Sequence, residues 1–448
     1  MSQMNFKEIA YNNKNNRKLS DFTKKGDNSS TKDVINQLID EIQEYVSEEN
    51  KDSNIIYEIQ TGKKEKKVLE NIIDDFLSQN VKAQGFPKEQ IKKKIVDVMV
   101  GWERLQPLIE SDEKITEIST NEDLEVIKRI KGQDILTNIS FESDEELEQF
   151  IKNISIRTGE KLNRDKCIMD GYDPVYNIRI NAGIYGSPIR KGEVVRKPYF
   201  TLRLFPKKQL TADDLIRNGT FTTSIYKFFK EIVEDSTIVI VGEPEAGKTT
   251  LLDILQGLKD KMRRTIIIQE EPELKNKNKN SVYFVTRKKA SDEDNRKTYD
   301  MAEFAKIATR FAGKDVVIGE VRDKEAWWLY RLIDMGYKAI YTIHGSSCKG
   351  GLEQTQFLMS LVNPNMTYSQ LMKKVCDSID FVIYISNKKV IDIAEVRGYD
   401  RENEEPSLNY IFRLRTDKNN DFYWKEGSIS EEFKEQLKLR KKLKERRV

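Results

Sequence analysis

Histidine and cysteine are scarce in this chain, and their scarcity excludes several kinds of site. The 448 residues include one histidine, His344, and three cysteines. Cys167, Cys348 and Cys376 stand far apart with no C-x-x-C pair. The sequence therefore predicts neither a zinc ribbon nor a disulfide framework. A single histidine is more often a satisfied core residue than a functional one, so a role for His344 needs a specific reason.

Long apolar runs are also missing. The longest informative apolar runs span five or six residues, as in TIVIV and DVVIGE. A membrane span needs roughly 18 apolar residues. The beginning, MSQMNFKEIAYNNKNNRK, lacks the apolar centre of a signal peptide. We therefore expect a cytoplasmic protein.

The chain has no strong excess of one charge. Its formal net charge is +3, and residues 434–448, with eight basic and two acidic side chains, supply that balance. So small a charge does not indicate a nucleic-acid partner, and we expect no direct nucleic-acid binding. A composition of 38% hydrophobic and 34% charged residues is typical of a polar globular protein, here long enough for two to four domains.

Changes of pattern divide the chain into six predicted segments. Apolar residues recur at helical spacing early in the chain, and alternating strands around one helix follow. The predicted segments are a disordered stretch (1–30), a helical module (31–100), an α+β N-terminal domain (101–206), a linker (207–220), an α/β domain (221–416) and a C-terminal extension with a basic tail (417–448).

Short, continuous apolar runs dominate the α/β segment. STIVIVG, RTIIIQE, DVVIGE and AIYTIH are separated by helical stretches, a pattern typical of a mostly parallel sheet covered on both faces. DFVIYIS, VIDIAEVRGYD and NYIFRLR are expected to add antiparallel strands.

A phosphate-binding loop follows the first of these runs. In STIVIVGEPEAGKTTLLDIL, Gly242 precedes Gly247, Lys248 and Thr249 at the spacing of the phosphate loop, between a strand and a helix. Backbone N–H groups at a helix N-terminus bind phosphates. Lys248 would supply positive charge, and the Thr249 hydroxyl would bind Mg²⁺. The motif predicts a nucleoside triphosphate, with Thr250 in the same site.

Carboxylates end two of the neighbouring runs. DVVIGEVRD reaches Glu320, and RTIIIQEEPEL reaches Glu270, Glu271 and Glu273. Ligands of parallel sheets lie at the carboxyl ends of the strands, so we expect these side chains to converge near the terminal phosphate. Glu320 would hold the metal or the attacking water. Which of the other three carboxylates is catalytic stays open.

The phosphate loop is followed by IIIQEEPEL (the acidic box), VVIGEVR (the second acidic motif) and YTIHGSS (the histidine box). With these four motifs in this order, the chain resembles the secretion and traffic ATPases. These are the motors of type II and type IV secretion and of type IV and tight-adherence pili. GWERLQPLIESDEKITEIST, IRTGEKLN, YNIRIN and FTLRLF resemble the N-terminal domain of that family, over residues 95–416 in all. The absence of a four-cysteine zinc module favours the tight-adherence and type IV secretion branch.

The resemblance implies a fold, an activity and partners. It implies a RecA-like ATPase domain after the α+β domain, Mg²⁺-dependent hydrolysis of ATP, a homo-hexamer, and a membrane-embedded platform protein that the cytoplasmic motor would meet at the membrane. It also implies roles by position. Catalytic or nucleotide-contacting roles fall on Glu320, Glu270, Glu273, Arg322 and His344, and on the N-terminal-domain arginines Arg157, Arg179 and Arg203.

Some positions depart from the family pattern. The acidic box opens with Gln269-Glu270 instead of Glu-Asp, and Gly336-Tyr337 replaces Gly-His before the histidine box. Gly313-Lys314 replaces Pro-Asp before the second acidic motif, where Arg310 remains and Ala312 replaces a second arginine. These substitutions indicate slow hydrolysis or a divergent branch. Inactivity is the less favoured alternative, because Lys248, Glu320 and His344 are all present.

Two functions stay in competition on the sequence alone. One is a motor of a secretion, conjugation or pilus machine, and the other is a hexameric nucleic-acid motor of the helicase or DNA-packaging type. The histidine box and the small net charge favour the first. Because His344 ends a strand on the edge where Glu320 should point, we predict that it contacts phosphate or carboxylate and couples nucleotide state to the next subunit.

Overall fold

A computed structural model describes residues 38, 41–42, 45–46, 55–79, 87–158, 162–186, 195–205, 209–274, 278–286 and 298–445. The predicted disorder of residues 1–30 and the last three residues of the basic tail lie outside these ranges. The chain divides into two compact units, with the boundary between Lys208 and Gln209. Each unit is described by itself.

The first unit begins with helices that bury a small apolar core. The helices span Ile55–Gln60, Lys66–Gln79 and Lys88–Met99. Their buried residues recur three or four positions apart, as Leu69, Ile73 and Leu77 do, and pack together with Leu38, Ile42 and Val46. Apolar periodicity of this kind produces a helix that is stabilised mainly by its buried face.

An antiparallel six-stranded sheet forms the rest of the first unit. Its strands are β1 (Ile115–Thr120), β2 (Glu125–Ile130), β3 (Gln133–Ser140), β4 (Ile168–Asp173), β5 (Ile178–Gly183) and β6 (Tyr199–Leu204). Their order is β3-β2-β1-β6-β5-β4. The helix Asp144–Ser155, which is capped by the Ser143 side chain, packs Leu147, Phe150 and Ile151 against the sheet. Shorter helical turns span Glu103–Leu105, Gln106–Glu110 and Ile156–Thr158.

The second unit is built on a nine-stranded sheet. Its strands are β7 (Ile238–Gly242), β8 (Thr265–Gln269), β9 (Ser281–Val285), β10 (Asp315–Ile318), β11 (Lys338–His344), β12 (Phe381–Ser386), β13 (Lys389–Asp400), β14 (Glu405–Thr416) and β15 (Phe422–Glu426). The order is β15-β14-β13-β12-β7-β11-β10-β8-β9. The six strands from β12 to β9 are parallel, and β13, β14 and β15 are antiparallel.

Helices cover both faces of this sheet. Alternate residues of β7 illustrate why its strands are apolar throughout: Val239 and Val241 enter one core, and Ile238 and Ile240 enter the other. The first core is covered by Met301–Ala308, Glu325–Asp334, Cys348–Val362 and Tyr368–Ser378. The second is covered by Ala212–Arg217, Thr223–Ile232, Lys248–Gly257 and Glu431–Glu445.

A buried ionic network closes the amino end of β10. Lys259 and Asp315 are both fully buried, and the Lys259 Nζ lies 2.7 Å from Oδ1 of Asp315. The guanidinium of Arg263 binds the same carboxylate, with Nε 2.5 Å from Oδ2. Burial lowers the pKa of Lys259, although the Asp315 charge opposes this shift. The network therefore gives Asp315 two cationic partners and gives Lys259 one carboxylate.

The predicted fold class is confirmed: a RecA-like α/β domain follows an α+β domain and a small helical module. One strand, β11, separates the phosphate-loop strand β7 from β10. The prediction that DFVIYIS is antiparallel to the preceding sheet was wrong, because β12 pairs in parallel with β7. The sheet also continues to Glu426 through β15, whereas the α/β segment was predicted to end at residue 416. None of the helices that the structure describes combines the length and the apolar character that a membrane span requires.

Candidate nucleotide-binding and hydrolysis site

The phosphate loop connects β7 to the helix that begins at Lys248. Gly247 has φ of +100°, a left-handed conformation that glycine adopts without strain. A Cβ on Gly242 would lie 2.4 Å from the carbonyl oxygen of Ile385, so only glycine fits where β7 and β12 run side by side. Thr249 and Thr250 follow in the first turn of the helix and are half-buried. The loop therefore places helix N–H groups beside a short apolar strand.

The Lys248 ammonium is folded back onto its own loop. Nζ donates to the carbonyl oxygens of Gly242 at 3.0 Å and Glu243 at 2.9 Å. It also lies 3.2 Å from Nδ1 of His344. Lys248 is 7% exposed, so these contacts provide polar partners for a buried charge.

His344 connects this lysine to the second acidic motif. It ends β11, next to β7 in the sheet, where it pairs with Gly242. Its Nε2 lies 2.5 Å from Oε1 of Glu320. That oxygen is buried and accepts no well-aligned hydrogen bond within the described residues. The histidine therefore stands between the lysine of the phosphate loop and the carboxylate of β10.

Arg322 connects Glu320 to the acidic box and completes a row of charged and polar side chains that begins at Lys248 and His344. One Nη lies 2.6 Å from Oε2 of Glu320, and the other lies 2.9 Å from a carboxylate oxygen of Glu270. Burial favours a higher pKa for Glu320, but the hydrogen bond and charge of Arg322 lower it below its usual value, with smaller effects from His344 and Lys248. The hydrogen bond to Glu320 raises the pKa of Arg322. The structure thus keeps Glu320 ionised.

Glu270 joins this row from the acidic box. Glu270 follows β8 directly and reaches Arg322, whereas Glu273 is half-buried three residues later, where its backbone N–H donates to the Glu271 carbonyl at 2.7 Å. Gln269, which replaces the usual opening Glu, is buried, and its side-chain oxygen accepts from the Leu274 N–H at 2.9 Å. The Gln269 amide therefore fixes the end of the loop that carries Glu270 and Glu273.

The three predicted arginines all lie in the first unit, in two different environments. Arg157 is 3% exposed. Its guanidinium donates to the carbonyls of Val100 and Gly101 and to Asp173, and lies over the Trp102 ring. Its partners therefore lie within the first unit, and the nucleotide contact expected of Arg157 stays a prediction. The local sequence does not reveal the buried ion pair with a residue 16 positions away.

Arg179 and Arg203 are more accessible. They stand directly opposite each other on β5 and β6. Arg179 forms a bidentate pair with Asp170 at 3.1 and 3.0 Å. Arg203 is exposed, and its guanidinium lies 5.8 Å from the centre of the Phe205 ring.

Two departures from the family pattern compensate for each other. A Cβ on Gly313 would lie 2.3 Å from Cε1 of Tyr337, so the tyrosine ring occupies the space of a side chain at position 313. The Gly313 N–H donates to the Tyr337 hydroxyl at 3.0 Å, and that hydroxyl donates to the carbonyl of Phe311. Gly313 and Tyr337 therefore form one packing unit away from the row of charges.

The sequence did not reveal one further contact at the loop. The Tyr384 hydroxyl on β12 donates to Glu243 at 2.7 Å. Burial favours a higher pKa for Glu243, but this hydrogen bond helps to lower it. No motif in the sequence marks Tyr384, because the contact depends on β12 lying beside β7.

Comparisons with known proteins give a family match and several distant relatives. Residues 184–388 match the family model described as type II/IV secretion system protein. An uncharacterised protein of Methanocaldococcus jannaschii is 25% identical over 297 residues, or 65% of this chain and 51% of that protein. A probable conjugal transfer protein, TrbB, of Sinorhizobium fredii is 25% identical over 217 residues, or 46% of this chain and 62% of that protein. The chain thus spans about half of the archaeal relative and less than two thirds of the bacterial one.

Among solved structures, the ATPase DotB of Yersinia pseudotuberculosis is similar to this chain. The two share 13% sequence identity and a TM-score of 0.45 over 74% of this chain and 79% of that chain. The resemblance that the four motifs indicated is confirmed over residues 184–388, the part of the chain that matches the model of the type II/IV secretion system proteins.

Proposed function

We propose that this protein hydrolyses ATP to drive a membrane machine for secretion, conjugation or pilus assembly. The observation that carries the proposal is the continuous row of side chains from Lys248 through His344, Glu320 and Arg322 to Glu270. These residues come from the carboxyl ends of four neighbouring parallel strands, where ligands of such sheets bind.

The phosphate loop would bind the triphosphate. Lys248 would exchange its contacts with the Gly242 and Glu243 carbonyls for phosphate oxygens, which are stronger partners for an ammonium group. Backbone N–H groups at the start of the helix Lys248–Gly257 would hold the same phosphates. Release of Lys248 from Nδ1 of His344 would then signal that nucleotide is bound.

The residues present fit a magnesium ion. The buried Oε1 of Glu320 accepts no well-aligned hydrogen bond, and the Thr249 hydroxyl lies on the first helical turn. No group of three metal-ligating side chains occurs in the part of the chain that the structure describes. That suits Mg²⁺, which takes few protein ligands besides phosphates and water. When bound, the ion would offset phosphate charge, with Glu320 and Thr249 as its protein-side partners.

Glu320 would orient the attacking water, and His344 would sense the state of the site. The lowered pKa keeps Glu320 in the carboxylate form that accepts a hydrogen bond from water. Glu270, or Glu273 in the same loop, would assist. His344 is less suited to act as the base, because a carboxylate already occupies that position at 2.5 Å.

The assembly is part of the proposal. We expect a homo-hexamer in which Arg179 and Arg203 stabilise phosphoryl charge, since guanidinium groups suit that task. The relative described as a probable conjugal transfer protein supports conjugation as one of the proposed functions. The motor would act on a membrane-embedded platform protein from the cytoplasmic side. Pilus assembly, protein export and DNA transfer all remain compatible with the site.

ATP turnover by the purified chain tests the proposal. Lys248→Ala should abolish turnover, whereas Lys227→Ala, an exposed lysine of the same unit, should leave it unchanged. Full turnover in Lys248→Ala would refute the assignment of the site. Stimulation of turnover by DNA that is lost steeply with salt would instead favour the nucleic-acid motor.

A further inference from the structure

A second positively charged cleft lies at the C-terminal edge of the nine-stranded sheet, in a region to which the proposed function assigns no role. Its volume is about 410 Å³, and its lining consists of Tyr410, Arg413, Arg415, Lys425, Glu426 and Gly427. Arg413 on β14 stands opposite Lys425 on β15. Because side chains alternate between the faces of a strand, Arg413, Arg415 and Lys425 project from the same face.

Most of this charge has no acidic partner among the described residues. Like charges opposite each other destabilise a strand pair, yet the Lys425 ammonium forms no ion pair or hydrogen bond with any residue that the structure describes. The guanidinium of Arg415 donates to the Leu414 carbonyl at 2.6 Å. Glu426 pairs with Phe412 in the register, so its side chain points to the opposite face from Lys425.

The carboxylate of Asp392 compensates the cluster poorly. Nε of Arg413 lies 3.5 Å from Oδ1 of Asp392, and both atoms are buried without a well-aligned hydrogen bond. Burial raises the pKa of Asp392, although the charges of Arg413 and Arg415 oppose the shift. The Arg413 guanidinium lies 4.0 Å from the centre of the Tyr410 ring. This stacking holds the guanidinium in place at the cleft.

We propose that this cleft binds a phosphate group, either of a small soluble molecule or of a phospholipid headgroup. Alternate residues on a strand are about 7 Å apart, and opposite residues are about 5 Å apart, so the three cations can surround one phosphate. Guanidinium groups bind phosphate through paired N–H donors. The volume of about 410 Å³ lies within the range of small-molecule sites.

Calorimetric titration with inorganic pyrophosphate tests the site. The full chain would carry Lys248→Ala, which weakens phosphate binding at the loop, with or without Arg415→Gln and Lys425→Gln. The double change should weaken pyrophosphate binding at least about tenfold, because it removes two charge-assisted contacts. A matched control, Arg401→Gln with Lys418→Gln, changes two exposed basic residues outside the cleft and should leave affinity unchanged.

A vesicle experiment separates the two sources of phosphate. The chain would be sedimented with phosphatidylcholine vesicles, with and without phosphatidylglycerol. Binding that requires phosphatidylglycerol and is lost in the Arg415→Gln, Lys425→Gln variant supports a lipid headgroup. Pyrophosphate binding without vesicle binding supports a soluble ligand.

Unchanged pyrophosphate affinity in the double variant would overturn the proposal, as would an equal loss in the control pair. Lys425→Gln alone, on an exposed residue of β15, provides a milder variant if the double change lowers the melting temperature. With Lys248 intact, the Arg415→Gln, Lys425→Gln variant should hydrolyse ATP at the rate of the parent chain, which separates this site from the hydrolysis site.

Discussion

Replacement of His344 tests how the row of charges works. His344→Ala removes the contact of Nδ1 with the Lys248 ammonium at 3.2 Å and the contact of Nε2 with Glu320 at 2.5 Å. We expect ATP to bind with nearly unchanged affinity, because the phosphate loop and Lys248 remain. We expect turnover to fall strongly, because Glu320 and Lys248 lose the group that couples them.

The expected effects of His344→Ala on stability and on turnover differ in size. The His344 side chain is 42% exposed, and an ion pair with that much solvent contributes at most about 1 kcal/mol to stability, or a melting-temperature shift of about 2–4 °C in a domain of this size. Loss of one preorganised contact in a phosphoryl-transfer site costs roughly a hundredfold in kcat, equivalent to about 2.7 kcal/mol. Loss of stability alone therefore does not account for such a fall.

Two further variants separate the contacts of the ring. Asparagine places its amide near Nδ1, and glutamine places its amide near Nε2. Because the 2.5 Å contact with Glu320 involves a full charge, His344→Gln should retain more turnover than His344→Asn. Ser346→Ala, at an exposed neighbouring position, is the matched control. The assay is steady-state ATP hydrolysis, with nucleotide binding measured by fluorescence titration.

Full turnover in His344→Ala would refute this reasoning and make His344 a packing residue. A loss of ATP affinity at unchanged kcat would also contradict it, because the histidine would then contribute to binding of the ground state.

Three other predictions concern packing and charge. Gly313→Ala should destabilise the protein by about 1–3 kcal/mol in chemical denaturation, because its Cβ would lie 2.3 Å from Tyr337 Cε1. Adding Tyr337→His should restore part of this loss. If the losses of the two single variants simply add in the double variant, the contact is contradicted. Asp315→Ala should lower the free energy of unfolding by about 3–5 kcal/mol, because it leaves the buried Lys259 without its carboxylate partner. Lys259→Met should cost less, because Asp315 keeps its pair with Arg263. Equal losses would argue against the network. The folded-state pKa of Glu320 is lowered, so the ionised Glu320 should stabilise the folded protein fully above its unfolded pKa. This stabilisation should disappear as the pH falls through the folded-state pKa. A difference in unfolding free energy between the parent and Glu320→Gln that grows on acidification would contradict this.

The sequence predicted the central sheet and the convergence of the site for clear physical reasons. Strands buried on both faces are apolar at every position, as β7 and β10 are. The polar residue that ends such a strand lies at its carboxyl edge. Glu320, His344 and Lys248 were therefore expected in one place, and the structure places His344 in contact with both Lys248 and Glu320.

Strand direction at the edges of the sheet could not be predicted as well. β12 has the same apolar character in either orientation, and its parallel pairing with β7 depends on the helix Tyr368–Ser378 that carries the chain back across the sheet. β15 is short and largely exposed, and it is stabilised by pairing with β14. A sequence window of five polar and aromatic residues does not contain that information.

Individual side-chain partners were the hardest to predict. Arg157 contacts Asp173 across 16 residues, and Tyr337 packs on Gly313 across 24. Each contact depends on the tertiary fold, since no local spacing rule connects such positions. The resemblance to the secretion ATPases identified Arg157 by position, whereas burial determines how its guanidinium is used.

ATP hydrolysis by the Glu320→Gln variant tests the central claim most directly. Glutamine keeps the size of the side chain and removes the charge that pairs with Arg322 and His344, and Glu303→Gln, on the helix Met301–Ala308, serves as the matched control. We predict that Glu320→Gln binds ATP with an affinity close to that of the parent and hydrolyses it at least about a hundredfold more slowly, with Glu303→Gln unaffected. Parental turnover in Glu320→Gln would contradict the assignment of this row of residues as the hydrolysis site.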